Sequence, residues 1–381
     1  MTSRLTRRQL ALASFAPAAL AQTQKPAPRI PEPNFDVVAW GRQRWDAAPR
    51  RLRFTAANRK GAEAWQQKLR PKLIELVGGF PPRTPLNPKI LETREFPAYT
   101  RETVVFESRP GLTVYSYLLL PKDKPRPLAA ALCIPGHGRG VDDIVGIAED
   151  GSDRTVKAGY QFDYAIQAVE HGLAAFAIEP IGFGHRRGEQ ARCGGPGRNS
   201  CQPAAGAALL YGETMIGWRV WDMMRAIDYL ETRAEIDPRR IGCMGISGGG
   251  AITLYSAALD TRIRAAFSSG YLCMYRDSIL SLSHCMDNYV PGILNWAEAS
   301  DIAGLIAPRA LFSESGEKDN IFPIAGARQA FEETRKIFEV LGAADRCGLE
   351  VHPLDHQFWG KQGLPFLTTW ISILTTYSIT S

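Results

Sequence analysis

The segment Ile241-Gly242-Cys243-Met244-Gly245-Ile246-Ser247-Gly248-Gly249-Gly250 leads from an apolar, strand-like run into a helix-like one, Ala251 to Ala258, across a serine hemmed in by glycines. Gly245, Ser247 and Gly249 make the pattern G-x-S-x-G. In a strand–turn–helix setting this is a nucleophile elbow. The turn is sharp, and a Cβ beside the serine would clash. The hydroxyl is lifted off the sheet and set at a helix N-terminus, where free N–H groups and the helix dipole favour negative charge.

Working outward, apolar strand candidates at Leu128–Ile134, Leu173–Ile178, Ile241–Gly245, Ala265–Ser268, Ala310–Ser313 and Leu349–His352 alternate with helical segments. That alternation predicts βαβ units and a mostly parallel central sheet with helices on both faces, an α/β fold. Ahead of it, Thr103–Ser108 and Thr113–Leu120 flank Arg109-Pro110-Gly111 and predict a β-hairpin leading into the sheet. Between Ala57 and Val77 the residues Trp65, Leu69, Leu73, Leu76 and Val77 fall near one helical face. Gly78-Gly79 ends this N-terminal helical arm, and Pro81, Pro82, Pro85 and Pro88 keep the chain extended.

A serine hydroxyl needs a base. Of the six histidines, His356 follows the last strand candidate near the C-terminus, while His171 and His352 read as structural. The order serine, acid, histidine then asks for a carboxylate after an intervening strand. Asp319 meets it in Gly316-Glu317-Lys318-Asp319, with Glu314 or Glu317 as competitors and Asp355 a poorer one. It would hold the far nitrogen of His356 and fix its tautomer. Oxyanion donors are expected from the N–H of Gly248 and from one of His137, Gly138 or Arg139 in Pro135-Gly136-His137-Gly138-Arg139-Gly140. That loop lacks the G-K-[ST] ending of a phosphate loop. His352 and His356 do not make a metal pair, since Pro353 argues against a helix there. No metal or other cofactor is expected.

Arg4, Arg7 and Arg8 precede an apolar run from Leu10 to Leu20, and Ala19-Leu20-Ala21 supplies a small-x-small cleavage pattern. Residues 1–21 therefore read as an export signal, and Thr6-Arg7-Arg8-Gln9-Leu10 resembles a twin-arginine signal. The expected location is periplasmic or secreted. The apolar run is shorter than the about 20 residues a spanning helix needs. Loss of three arginines and no acid with the leader lowers the formal charge from +6 to +3. The basic residues are spread out, unlike those of a nucleic-acid binder. The rest divides into a linker and helical arm over 22–100, loose from Gln22 to about Asn34, and a catalytic domain over 101–381. Seven cysteines leave one unpaired in any intrachain disulfide set. Cys193 and Cys201 flank a Gly/Pro-rich loop that a disulfide could staple. No C-x-x-C pair marks a structural zinc site.

From about Thr103 to Thr375 the chain resembles the dienelactone-hydrolase-like and acetyl-xylan-esterase-like group of exported bacterial α/β hydrolases. The resemblance rests on Pro135-Gly136-His137-Gly138, Gly182-Phe183-Gly184-His185-Arg186-Arg187-Gly188-Glu189, Asp237-Pro238-Arg239-Arg240-Ile241-Gly242, Gly245–Gly249, Gly316–Asp319 and Asp355-His356. It implies the α/β-hydrolase fold and a serine esterase acting on acylated plant carbohydrates. Acetyl-xylan esterases carry R-G-Q where this chain has Arg187-Gly188-Glu189, and dienelactone hydrolases use cysteine where it has Ser247.

Two insertions, near 182–211 and 271–296, are expected to shape the substrate pocket at the C-terminal edge of the sheet. Arg186, Arg187, Tyr275, His284 and Tyr289 are the candidate substrate contacts, although either arginine could instead pair with nearby acids. The expected reaction is hydrolysis of a small-molecule or carbohydrate ester, with no nucleic acid and no membrane as partner once the signal is removed. A prolyl-oligopeptidase-type peptidase shares the triad order, but the stretch before Thr103 is too short for the β-propeller such enzymes usually carry. A non-catalytic binding protein would more plausibly have lost a triad member, and none is missing.

Overall fold

The computed structural model describes residues 35–373; the signal read at 1–21 and the linker up to residue 34 lie outside them. Helices α1 (Val37–Asp46) and α2 (Arg59–Leu76) precede strands β1 (Lys89–Glu95), β2 (Tyr99–Arg109) and β3 (Leu112–Pro121). Then come β4 (Leu128–Ile134), α3 (Tyr164–Glu170), β5 (Ala174–Ile178), α4 (Glu189–Cys193), α5 (Cys201–Leu210) and α6 (Met215–Leu230). The chain continues through β6 (Ile236–Ile246), α7 (Gly248–Leu259), β7 (Ile263–Ser269), α8 (Ala299–Gly304) and β8 (Ala310–Gly316). It finishes with α9 (Ile324–Val340), β9 (Cys347–His352) and α10 (Gly363–Ser372).

The strands form one sheet in the order β1-β2-β3-β5-β4-β6-β7-β8-β9. β1, β2, β3 and β5 pair antiparallel in succession, and every later pairing is parallel. Each of the six strand candidates read from the sequence coincides with a parallel strand, and the hairpin is β2–β3. The strand β4 is apolar throughout because both its faces are covered. Leu128, Ala130, Leu132 and Ile134 join the core shared with α2, α6, α7, α8 and α9, while Ala129, Ala131 and Cys133 face α3 and α10. One strand was not anticipated. All seven residues of β1 are exposed, so it carries no alternation to read, and its Lys, Glu and Arg side chains discourage further pairing at this edge.

The helix expected between Ala57 and Val77 is α2. Its N-terminus is capped by Asn58, whose Oδ1 accepts from the Gly61 N–H at 2.9 Å. Ala62, Trp65, Leu69 and Leu73 are buried in the main core. Gln66 Nε2 donates to the carbonyls of Gly304 (3.0 Å) and Ala307 (2.7 Å), binding α2 to the end of α8. Register across the parallel half aligns Ile134 with Gly245, Ile246 with Ser269, Ser269 with Glu314 and Gly316 with His352. The C-terminal strand ends therefore share one edge, where α/β sheets bind ligands.

Leu73 is wholly buried in the core that α2 shares with the sheet helices. Leu73→Ala should cost about 2–5 kcal/mol in a urea melt while the melt stays a single transition. A separate early transition for the N-terminal helices would refute their membership of one cooperative unit.

Candidate active site

Ser247 caps α7 with φ 57° and ψ −122°, a region that L-residues avoid. Its N–H donates to the Ser269 carbonyl at 3.0 Å, which pins the strained turn to the end of β7. The glycines around it are required by contact. A Cβ on Gly245 would lie 2.5 Å from the Ile134 carbonyl oxygen, and one on Gly249 would collide with the same carbonyl. All of α7 is buried, so the elbow cannot relieve such a clash by tilting the helix outward.

His356 lies in the turn beyond β9, and its Nδ1 is 2.7 Å from Asp319 Oδ2. The other carboxylate oxygen of Asp319 accepts from the N–H groups of Ile321 (2.8 Å) and Phe322 (3.0 Å). The acid is thus held from both sides. The imidazole is held by its faces: Tyr160 and Phe322 stack on it at 6.0 and 5.7 Å between centroids. Gly270, at φ +53°, leaves room for the ring, since a Cβ there would sit 3.0 Å from its Cε1. Its Nε2 is buried and has no hydrogen-bond partner among the described residues. The competing carboxylates lie elsewhere. Glu317 and Asp355 are exposed, and Glu314 accepts from the Ser269 hydroxyl (2.6 Å) and from the N–H groups of Trp359 (2.9 Å) and Gly360 (2.8 Å).

The loop after β4 meets the elbow closely, because a Cβ on Gly136 would stand 3.2 Å from Ser247 Cβ. The Gly136 N–H is engaged by Gln161 Oε1 at 2.8 Å. The Arg139 N–H is engaged by Asp143 Oδ2 at 2.8 Å, which corrects the expectation that it could serve as a donor in the site. His137 and Gly138 remain. Gly248 is the first residue of α7, so its N–H has no intrahelical partner. Glu179 clamps the far side of the loop, accepting from Val141 N at 3.3 Å and His185 N at 3.2 Å.

Ser247, Gly248, His137, Tyr160 and His356 line a cavity of about 780 Å³. Its remaining wall comes from the two insertions and the segment after Asp319: Asn199, Cys201, Gln202, Ser283, His284, Cys285, Met286, Asn288, Ile321 and Phe322. Of the five substrate contacts expected from sequence, His284 is there, with Nε2 2.9 Å from the Ser278 hydroxyl. Burial pushes its titration down. The other four are placed elsewhere. Arg186 is buried and pairs with Asp222 at 2.6 Å, because an arginine at that depth needs a counter-charge. Arg187 donates to the carbonyls of Gly184 (2.7 Å) and Gly195 (2.8 Å), bracing the first insertion. Tyr275 is core, its hydroxyl 2.7 Å from that of Tyr255. Together with Tyr289 it borders a separate, apolar cavity of about 480 Å³ against α1.

The cysteine staple is also corrected. Cys193 is exposed at the end of α4, Cys201 is buried, and both are free thiols. The sequence reading missed Tyr160, Phe322 and Arg219. Arg219 is wholly buried on α6, donates to the Ile181 carbonyl (Nη2 at 2.6 Å) and pairs with Asp287, tying α6 to the entry of the first insertion and to the second insertion. Only the adjacency of Phe322 to the Asp319 loop could have hinted at any of these.

Fold and site edge together define an α/β hydrolase. The family model described as "Abhydrolase family" (Abhydrolase_7) matches residues 46–337, and the chain belongs to that family. A Bacillus subtilis protein named "Putative hydrolase YtaP" is 29% identical over 286 residues, covering 72% of this chain and 89% of that protein. Among solved structures, a "putative acetyl xylan esterase" from Bacteroides fragilis superposes with a TM-score of 0.71 at 19% identity, over 86% of this chain and 84% of that one. A glucuronoyl esterase from Solibacter usitatus gives 0.60 at 19% identity, over 81% and 94%. At these identities the structural likeness shows the fold.

Burial raises the Glu314 carboxyl from 4.5 to about 7. A raised folded value means stability that is complete below pH 4.5 and is lost as pH rises through about 7. Burial raises Glu179 (to about 7), Glu298 (to about 7) and Asp301 (to about 6) in the same direction, so they act on stability with the same sign. Glu314→Gln leaves a buried donor short of an acceptor and should cost about 1–3 kcal/mol at low pH. It should also flatten, without abolishing, the fall in Tm towards neutral pH. A profile that is lowered but parallel to the wild type would contradict this account of Glu314.

Proposed function

We propose that the protein is a serine carboxylic-ester hydrolase acting through an acyl-enzyme, and that its substrate is an acetyl or similarly small acyl ester of a plant carbohydrate. The reading rests above all on one juxtaposition. A serine on a strained elbow shares a cavity with a histidine whose far nitrogen is held 2.7 Å from a buried aspartate.

In this mechanism Ser247 Oγ attacks the ester carbonyl while His356 Nε2 takes its proton. Asp319 keeps the His356 Nδ1 proton in place and stabilises the imidazolium. The Gly248 N–H, with that of His137 or Gly138, holds the oxyanion. His356 then protonates the departing alcohol, and a water molecule activated by the same histidine releases the acid. The cavity walls favour a neutral, hydroxylated alcohol. Asn199, Gln202, Ser283 and Asn288 offer uncharged hydrogen-bonding groups, and no Lys, Arg, Asp or Glu is among the described lining residues. A charged peptide terminus would find no carboxylate, lysine or arginine partner among those residues. The esterase names carried by the structural neighbours agree with this reading. Export is part of it, supported by Arg7-Arg8 and the Ala19-Leu20-Ala21 pattern; no helix among the described residues is long and apolar enough to cross a membrane.

The test is hydrolysis of p-nitrophenyl acetate and butyrate by the chain lacking its leader. Acetate should be preferred, and Ser247→Ala should lower kcat/KM on the order of 10⁴-fold or more. Asp319→Asn should lose about 10⁴-fold in kcat through the wrong histidine tautomer. Activity indifferent to Ser247 would refute the nucleophile, and cleavage of peptides in preference to esters would refute the substrate class.

A further inference from the structure

On the wall of the same cavity stands a cluster of side chains to which the proposed hydrolysis gives no role. His137, Cys201 and Cys285 each present a ligand atom, and the three atoms lie within 4.8 Å of one another. They come from the loop after β4, the first turn of α5 and the second insertion, so no local spacing betrays them. We propose that His137 Nε2, Cys201 Sγ and Cys285 Sγ form a site for a thiophilic divalent cation of the zinc type.

The geometry is close to what such an ion needs. With Zn–S near 2.3 Å and Zn–N near 2.0–2.1 Å, a tetrahedral site has an S···N edge of about 3.6 Å. Cys201 Sγ and His137 Nε2 are 3.7 Å apart. Each ligand is also positioned by its neighbours. The His137 ring packs on Phe183 at 4.6 Å, and its carbonyl accepts from the Tyr160 hydroxyl at 2.6 Å. The Cys201 N–H donates to Asn199 Oδ1 at 3.1 Å, and the Cys285 carbonyl accepts from Asn288 N at 3.1 Å.

Charge is compatible as well. Arg219 Nη2 lies 3.4 Å from Cys201 Sγ, but its charge is balanced by Asp287. Two thiolates and one divalent ion then sum to zero, which a partly buried site tolerates best. Three protein ligands leave a fourth position for the cavity to fill with water or a substrate oxygen. The rival reading is a disulfide between Cys201 and Cys285. It gives His137 no reason to aim its Nε2 at the sulfur.

The experiment is a cobalt(II) titration of the full, reduced chain under argon. Thiolate-to-cobalt charge-transfer absorption in the near ultraviolet should appear, saturate at one ion per chain and vanish on addition of zinc. Cys201→Ser and Cys285→Ser should each weaken cobalt binding by about tenfold or more, and His137→Gln should do the same, with circular dichroism confirming that the variants fold. Ser247→Ala should keep the full signal. Failure of the folded wild type to give saturable absorption would overturn the proposal, as would a signal that survives in both cysteine variants. A Cys201–Cys285 disulfide in non-reduced peptides of the exported protein would overturn it in favour of a staple.

Discussion

The carbonyl of Ile134 is the point on which the site is assembled. It ends β4, it leaves no space for a Cβ on either Gly245 or Gly249, and its oxygen accepts the buried Tyr164 hydroxyl at 2.5 Å. Three segments meet at this one group: the elbow carrying Ser247, the loop carrying His137 and Gly138, and α3 beneath them. Any larger residue in the elbow would push Ser247 away from the loop that faces it. The sheet register makes this contact possible, because Ile134 stands beside Gly245.

Two buried carboxyls extend that frame. Glu179, at the end of β5, reaches the backbone of Val141 and His185 and so fixes the loop after β4 against the first insertion. Glu314, on β8, ties Ser269 to Trp359 and Gly360 and so fixes the turn that carries His356. Neither needs to touch substrate. They hold backbone segments that have no regular hydrogen-bond ladder of their own, and buried backbone donors must find acceptors somewhere. The cost is pH-dependent stability, since each carboxyl is raised towards neutrality by burial.

The insertions behave differently from the strands around them. The first folds partly into α4 and α5 and the second largely into turns, and buried Arg219 on α6 touches both, pairing with Asp287 and donating to Cys201 Sγ at 3.4 Å. Arg186 and Tyr275 were expected at the substrate pocket because both lie in, or at the edge of, insertions beside the C-terminal edge of the sheet. Both are turned inward to partners distant in sequence, Asp222 and Tyr255. Composition reports what a loop can contact, but not the direction in which it faces.

Local chemistry in the sequence was enough for the parallel strands, for the hairpin, and for a short list of site residues: Ser247, His356 and the acids that compete to orient it. Apolar runs that alternate with helical segments can be buried in few ways, and an elbow, a post-strand aspartate and a late histidine follow one another in a set order. Those signals depend on backbone propensity, which neighbouring residues carry. Tertiary structure alone decided which of the competing carboxylates meets His356, which loop N–H groups stay free, and which insertion residues line the cavity. It alone placed the exposed edge strand β1 and gathered His137, Cys201 and Cys285. These depend on contacts between segments far apart in the chain, where distance and direction are set by packing rather than by any spacing in the sequence.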